Sequence, residues 1–284
     1  MSEIVKEESM YSRAYVEITN ICNMSCSFCH GHGRSPRRMT EEEFSCVLDQ
    51  LCGVTEYLYF HLMGEPLTHP LLSRFLEMAR ERGFRTMLTT NGTLLPAKGE
   101  MLLAERPYKV NVSLHSFEEG SEEEFLRYVD GVIDFADAAS RAGVIVVLRL
   151  WNRGGEEGLN DAVLNRLRSR LDGEWRENTR GFRVRERLHL EWGDRFEWPD
   201  MEAPDGGDRV FCYGLSDHFG ILCDGRVVPC CLDSDGVITL GNVFEEPLRD
   251  ILNTERACAM REGFAVRHAS EELCRRCGYA RRFK

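Results

Sequence analysis

The sequence predicts an α/β protein: a partial (βα)6 parallel barrel followed by a small C-terminal α+β module. Strand-like apolar runs alternate with helical patterns over the first two thirds of the chain, the order produced by right-handed crossovers in a parallel sheet. Runs such as Val144-Ile-Val-Val-Leu148 are apolar without a break, as strands covered on both faces are. Near residue 195 the alternation stops at Pro199, Pro204, Gly206 and Gly207, a linker signature. The boundaries therefore read as 1–195 for the barrel and 196–284 for the module.

The first strand is expected over 15–20, where Tyr15-Val-Glu-Ile-Thr19 alternates, and a helix over 40–52. Strands follow at 57–64, 84–91, 109–116 and 143–151, with helices near 68–82, 94–105 and 119–141 between them. A helix near 156–171 and a strand at about 187–193 complete the sixth unit. In the module, Phe219-Gly-Ile-Leu-Cys223 and Arg226-Val-Val-Pro-Cys230 flank Asp224-Gly225, which reads as a two-residue hairpin turn. Short helices near 246–253 and 254–263 then precede Cys274-Arg-Arg-Cys277.

A chain of 284 residues with 43% hydrophobic content has enough apolar surface for one large core and an appendage. Its formal charge of −11 argues against nucleic acid as partner, because phosphate binding needs clustered cations. Two basic patches stand out, Arg34, Arg37 and Arg38, and then Arg275, Arg276, Arg281, Arg282 and Lys284. Both read as solvated surface, or the first as a dock for an acidic electron donor. No run approaches the roughly 18 apolar residues of a membrane span, and the N-terminus lacks a basic start followed by an apolar stretch. The expected location is the cytoplasm, where twelve cysteines stay reduced and clustered ones serve as ligands.

Cys22, Cys26 and Cys29 stand in Asn20-Ile-Cys-Asn-Met-Ser-Cys-Ser-Phe-Cys29. Their spacing fits one face of a helix, but the turn formers Asn20, Asn23 and Ser25 before and between them and Gly31, Gly33 and Pro36 after them make a loop. Thiolates select iron–sulfur clusters or zinc. Three of them on a four-iron cluster leave one iron open. A second set, Cys212, Cys230, Cys274 and Cys277, supplies four thiolates and leaves none open; alone, it reads equally as a zinc ribbon or a cluster site. Core packing is expected for Cys46, Cys52 and Cys258, and Cys223 and Cys231 lie beside the second set.

The pattern C-x3-C-x-Φ-C, with Phe28 before the last cysteine, resembles the cluster motif of the radical S-adenosylmethionine (SAM) superfamily. His61-Leu-Met-Gly-Glu-Pro66 resembles that family's Gly-Gly-Glu motif with Met63 in place of the first glycine, and the resemblance extends over essentially the whole chain. It implies a SAM-binding 4Fe-4S cluster on Cys22, Cys26 and Cys29 and reductive cleavage of SAM to a 5'-deoxyadenosyl radical. It also implies a flavodoxin- or ferredoxin-like electron donor. By the same resemblance Gly64 and Glu65 receive the SAM amino group, Thr90 and Asn91 end the third strand at the cofactor, Ser113 and Arg149 hold its ribose or carboxylate, and Phe28 lies near the adenine. C-x12-G-x4-C, from Cys212 through Gly225 to Cys230, resembles the opening of the SPASM domain. The rest of that domain's cysteines are missing, as in its shortened twitch version with one auxiliary 4Fe-4S cluster.

His115 follows Ser113 by two residues, so the period of a strand puts it on the same face and makes it the first choice for contacting substrate. Glu191, Asp194 and Asp233 are further candidates for a base. About fourteen residues precede the first strand, too few for a separate recognition domain. The expected reaction is therefore oxidation, or a related modification, of a small metabolite, with the auxiliary cluster accepting an electron. A peptide or protein substrate is the alternative, and a non-catalytic iron–sulfur or zinc protein is the reading of another class.

Overall fold

The computed structural model describes residues 11–118 and 120–283. Six strands lie parallel in chain order, β1 (Arg13–Val16), β2 (Tyr57–Phe60), β3 (Arg85–Thr90), β4 (Lys109–Ser113), β5 (Ile145–Arg153) and, after a short hairpin, β8 (Leu188–Asp194). The helices between them are α1 (Glu41–Leu51), α2 (Leu72–Glu81), α3 (Leu95–Glu105), α4 (Glu122–Arg141) and α5 (Asn160–Arg170). The expected strand–helix order is thus observed, including the sixth strand. Capping boxes start two of the helices: Thr40 and Glu43 begin α1, and Ser121 and Glu124 begin α4. The helix expected from 119 therefore begins later, and position 119 itself lies outside the described residues.

Alternation along the strands divides the sheet into two faces. Leu58, Phe60, Leu88, Val110, Val146 and Leu148 pack against the helices and are fully buried. Each such side chain contributes about 1.5–3 kcal/mol when removed from water. On the opposite face stand Tyr15, Tyr59, Thr89, Asn111 and Arg149, joined just past β2 by His61. Their mutual contacts include Thr89 Oγ1 to His61 Nδ1 at 3.2 Å, Asn111 Nδ2 to Thr89 Oγ1 at 3.3 Å, and the Tyr15 and His61 rings 5.1 Å apart.

Beyond β8 the sheet gains an antiparallel hairpin, β6 (Arg176–Asn178) and β7 (Gly181–Arg185), which the sequence reading missed. β6, at the edge, is exposed along its length, while β7 buries Gly181 and Val184. At the other edge β9 (His218–Ile221) pairs in parallel with β1, and β10 (Arg226–Val228) and β11 (Gly241–Asn242) follow antiparallel. The module's strands therefore extend the barrel's own sheet, whose order is β11-β10-β9-β1-β2-β3-β4-β5-β8-β7-β6. Small helices α6 (Leu248–Ile251), α7 (Glu255–Ala265) and α8 (Glu272–Arg275) complete the module.

The hairpin turn differs from the two-residue form expected. Leu222 N donates to Arg226 O and Gly225 N to Leu222 O, both at 2.9 Å, so the loop is Cys223-Asp224-Gly225 with Gly225 at φ +87°. This is a three-residue hairpin with glycine in the left-handed position. A Cβ on Gly225 would stand 2.3 Å from Asn242 Oδ1, so the glycine is required twice over. No helix among the described residues is long and apolar enough to cross a membrane.

Because β9 covers the β1 edge, a chain truncated after residue 195 should expose Ala14, Tyr15 and Val16 and aggregate. The intact chain should unfold in a single urea transition. A soluble truncated chain that unfolds cooperatively would contradict this dependence.

Candidate active site

The parallel strands bring their C-terminal ends to one edge, and the loops there carry the predicted residues. Cys22 and Cys29 are exposed and Cys26 is half-buried. The loop is held from several sides. Ser27 donates through its N–H (2.7 Å) and hydroxyl (2.8 Å) to the Glu118 carboxylate, Asn91 Nδ2 donates to Asn23 Oδ1 (3.0 Å), and Trp198 Nε1 donates to Phe28 O (3.0 Å). Asn20 closes its ends, donating to Ser35 O at 2.9 Å and accepting from Arg37 N at 2.7 Å. Burial raises the pKa of Cys22, and burial with the charges of Glu118, Cys29 and Cys22 pushes Cys26 up to about 11. The three thiols are close enough to raise one another's pKa, and a thiol that ligates metal does so deprotonated.

Gly64 and Glu65 lie against this loop. Gly64 has φ +75°, and a Cβ on it would stand 2.3 Å from Thr19 O. Glu65 N donates to Ile21 O (2.9 Å), while the buried Glu65 carboxylate accepts from Leu67 N (3.0 Å) and Asn91 N (2.7 Å). Burial raises its pKa, which these amide bonds oppose. The Glu65 side chain is therefore a tie between the loops after β2 and β3. Thr90 accepts from Gly92 N at 3.0 Å, and Asn91 braces Asn23 and approaches Cys22 Sγ at 3.9 Å. These side chains shape the cysteine loop.

Ser113 and Arg149 face each other in register on β4 and β5. The Arg149 guanidinium lies over the Trp151 ring, 4.4 Å from its centroid, and its Nε is buried without a hydrogen-bond partner. Burial lowers the Arg149 pKa, offset by Glu191 across the strand pair. A buried unpartnered donor on a cation is an invitation to an anionic ligand.

His115 corrects the sequence argument. β4 ends at Ser113 and a 3-10 turn, Leu114–Ser116, follows, so strand alternation does not reach His115. Its Nδ1 sits 3.1 Å from Arg149 O and 3.3 Å from Trp151 N, and its ring lies 4.8 Å from Phe28. His115 packs beneath the cysteine loop and against the β5 backbone. The other candidate bases differ among themselves. Asp233 accepts from Val237 N and Ile238 N within its own loop, Asp194 is exposed, and Glu191 stands beside Arg149.

The four module thiols converge from three segments. Burial raises Cys230 well above an ordinary thiol, reinforced by Cys231, Cys212, Cys274 and Cys277. Burial likewise raises Cys212, Cys274 and Cys277. Gly214 N donates to Cys212 Sγ at 3.3 Å. Among the described residues no three His, Cys, Asp or Glu side chains close on a single ion. A four-iron cluster spreads its thiolates over different irons and so does not need three donors on one ion, and thiolate sulfur is the donor such clusters take.

Of the remaining cysteines, Cys52 is exposed at the end of α1, so the expectation of core packing fails there, while Cys46 and Cys258 are half-buried. The first basic patch also changes meaning. Arg34 is buried in an ion pair with Glu17, which removes it from a free docking surface, and Arg37 pairs with Glu43 while staying partly exposed. In the second patch Arg275 pairs with Asp205 and Arg276 with Glu272, and Lys284 lies outside the described residues. Sequence reasoning overlooked Glu17, Trp198 and Glu118. A lone carboxylate in the first strand's apolar stretch was the available signal for Glu17.

Gly64→Ala combines a positive φ with a backbone clash, whereas Gly31, at φ +69°, has open space around its Cβ position. The Gly64 variant should lose about 3 kcal/mol or more and the Gly31→Ala variant about 1–2 kcal/mol, by denaturant titration. Equal losses would show that the Thr19 contact does not constrain position 64.

The chain resembles known proteins over most of its length. The model of the radical SAM superfamily matches residues 16–157, and that of SPASM, an iron–sulfur cluster-binding domain, matches residues 212–278. The S-adenosyl-L-methionine-dependent 2-deoxy-scyllo-inosamine dehydrogenase of Niallia circulans is 23% identical over 95% of this chain and 94% of its own. A tungsten-containing aldehyde ferredoxin oxidoreductase cofactor-modifying protein of Pyrococcus furiosus is 38% identical over 98 residues, 32% of this chain, and the match spans only 27% of that relative's length. Among solved structures, BtrN in complex with AdoMet and 2-DOIA superposes with a TM-score of 0.61 at 18% identity, covering 95% of this chain and 94% of BtrN. Streptococcus suis SuiB superposes with a TM-score of 0.62 at 15% identity, covering 95% and 72%. The fold is that of these proteins, and the chain belongs to the radical SAM superfamily.

Proposed function

We propose that this chain cleaves SAM reductively and uses the 5'-deoxyadenosyl radical to oxidise a small polar metabolite. The observation that carries the reading is the pairing of two all-thiol sites, one of three cysteines on an exposed loop and one of four enclosed in the module. The near full-length alignment with a SAM-dependent dehydrogenase supports the oxidative outcome. When bound, a 4Fe-4S cluster on Cys22, Cys26 and Cys29 supplies the electron and the open coordination position for SAM.

The chain's own residues bind and orient. Arg149 offers its unpartnered Nε to the SAM carboxylate, with Ser113 opposite it, and Phe28 covers the loop. The sheet face carrying Tyr15, Tyr59, His61, Thr89, Asn111 and Glu191 presents hydroxyl, amide and carboxylate groups to a polar substrate. His61 stays neutral there, because burial and the charges of Arg149 and Arg13 hold its pKa down at about 3. Cys231 packs against the small cluster of Tyr15, Leu62, Leu222 and Val228, between this face and the module thiols. A flavodoxin- or ferredoxin-like protein supplies the electron, at a surface other than Arg34. Peptide modification is the second reading, favoured by the likeness to SuiB, one of whose structures is bound to its precursor peptide SuiA.

Anaerobic reconstitution should load about eight irons per chain, four per cluster. With SAM and reductant the enzyme should form 5'-deoxyadenosine and consume a compound from the low-mass fraction of a cell extract, which loses two hydrogens. Replacing Cys22, Cys26 and Cys29 together with alanine should abolish SAM cleavage and leave iron–sulfur absorbance. Activity confined to the high-mass fraction would favour the peptide reading, and a protein that takes up only zinc would end both.

Arg149→Lys keeps the charge and loses the planar fork. Its dissociation constant for SAM should rise about tenfold, equivalent to about 1.4 kcal/mol, with iron content unchanged. Unaltered affinity would remove Arg149 from the SAM site.

A further inference from the structure

Glu17, immediately past β1, is 1% exposed, and its carboxylate uses all its acceptor capacity. Arg34 Nη1 donates to Oε1 at 2.7 Å and Nη2 to Oε2 at 2.6 Å, Met63 N donates to Oε2 at 3.2 Å, and Cys223 N to Oε1 at 3.2 Å. Arg34 in turn donates through Nε to Ser234 O at 2.7 Å, and its neighbour Gly33 donates from N to Asp235 Oδ1 at 2.7 Å. One buried ion pair therefore joins the end of the cysteine loop, the residue before Gly64, and the module on both sides of Cys230.

Stability alone does not account for such a pair. Burying two charges costs desolvation that their attraction only roughly repays, and an apolar pair of similar volume often serves as well. Apolar side chains lack direction, however. A bidentate arginine–carboxylate pair that also accepts two backbone amides holds four chain segments in one arrangement.

We propose that Glu17 and Arg34 are positioning residues that lock the auxiliary module to the SAM-cleaving loop, so that the seating of the module sets how Met63 and Gly64 present SAM. The consequence for SAM rests on the function proposed above; the lock itself does not. Loosening at the module end should then reach the Met63 amide, and loosening at the loop end should reach Cys223.

Removing one partner would strand a buried charge and threaten folding, so the test replaces both, Glu17→Leu with Arg34→Met. Hydrogen exchange on the protein without clusters should speed up about tenfold at both the Met63 and Cys223 amides, the equivalent of about 1.4 kcal/mol. On the reconstituted enzyme the dissociation constant for SAM should also rise about tenfold, with both clusters loaded. Arg34→Lys, which keeps the charge but not the fork, should give smaller changes of the same kind, and it carries the test if the double variant does not fold. Faster exchange at only one amide, or at neither, overturns the lock, and SAM affinity within about twofold of wild type overturns its consequence. Coupled exchange in a wild-type protein that never binds SAM would sink the radical SAM reading and leave the lock standing.

Discussion

The parallel pairing of β9 with β1 is the constraint on which the rest of the molecule depends. Parallel neighbours cannot be joined by a tight turn, so this contact has to be made by chain that has already passed through the whole barrel. It joins Arg13 to His218 and Val16 to Ile221 through four registered positions, and it seats the hairpin carrying Cys223 and Cys230 against the strand that leads into the cysteine loop. Two thiol sites far apart in sequence become neighbours of one strand, β1. Tyr15 on that strand meets His61 edge-on, and Cys231 packs against the cluster to which Tyr15 belongs.

Around that strand, buried carboxylates organise backbone. Glu65 accepts two amides and ties the loops after β2 and β3, and Glu17 accepts two amides and a guanidinium. A carboxylate suits this task because it offers several acceptor sites from one rigid group, and an unpaired buried amide is costly. Irregular loops at the strand ends have many amides without a ladder partner. The same physics explains why Asn20, Asn91 and Glu118 clamp the cysteine loop from the segments that follow β1, β3 and β4.

The elements were legible because their signals are local: apolar alternation for strands, helical patterns between them, and turn residues around the cysteines. The errors arose where a local rule met its end. His115 was assigned by strand period, yet the strand stops at Ser113, and a 3-10 turn redirects the side chain. Arg34 read as surface charge because its partner, Glu17, lies on the other side of the cysteine loop. The β6–β7 hairpin was missed because an exposed, charged edge lacks the apolar pattern of a strand.

The sequence by itself determined the ligand chemistry and the architecture, since cysteine spacing, glycine at Gly64 and strand–helix alternation act over a few residues and leave a mark in every copy of the pattern. Only the tertiary structure decided which polar side chains are free to meet a ligand and which are spent on the fold. Asn91, Glu65 and His115 are committed to backbone and loop contacts, whereas Arg149 keeps a buried donor unpartnered. That division depends on partners distant in the chain, and a side chain's hydrogen-bonding capacity is settled only when those partners are brought within reach.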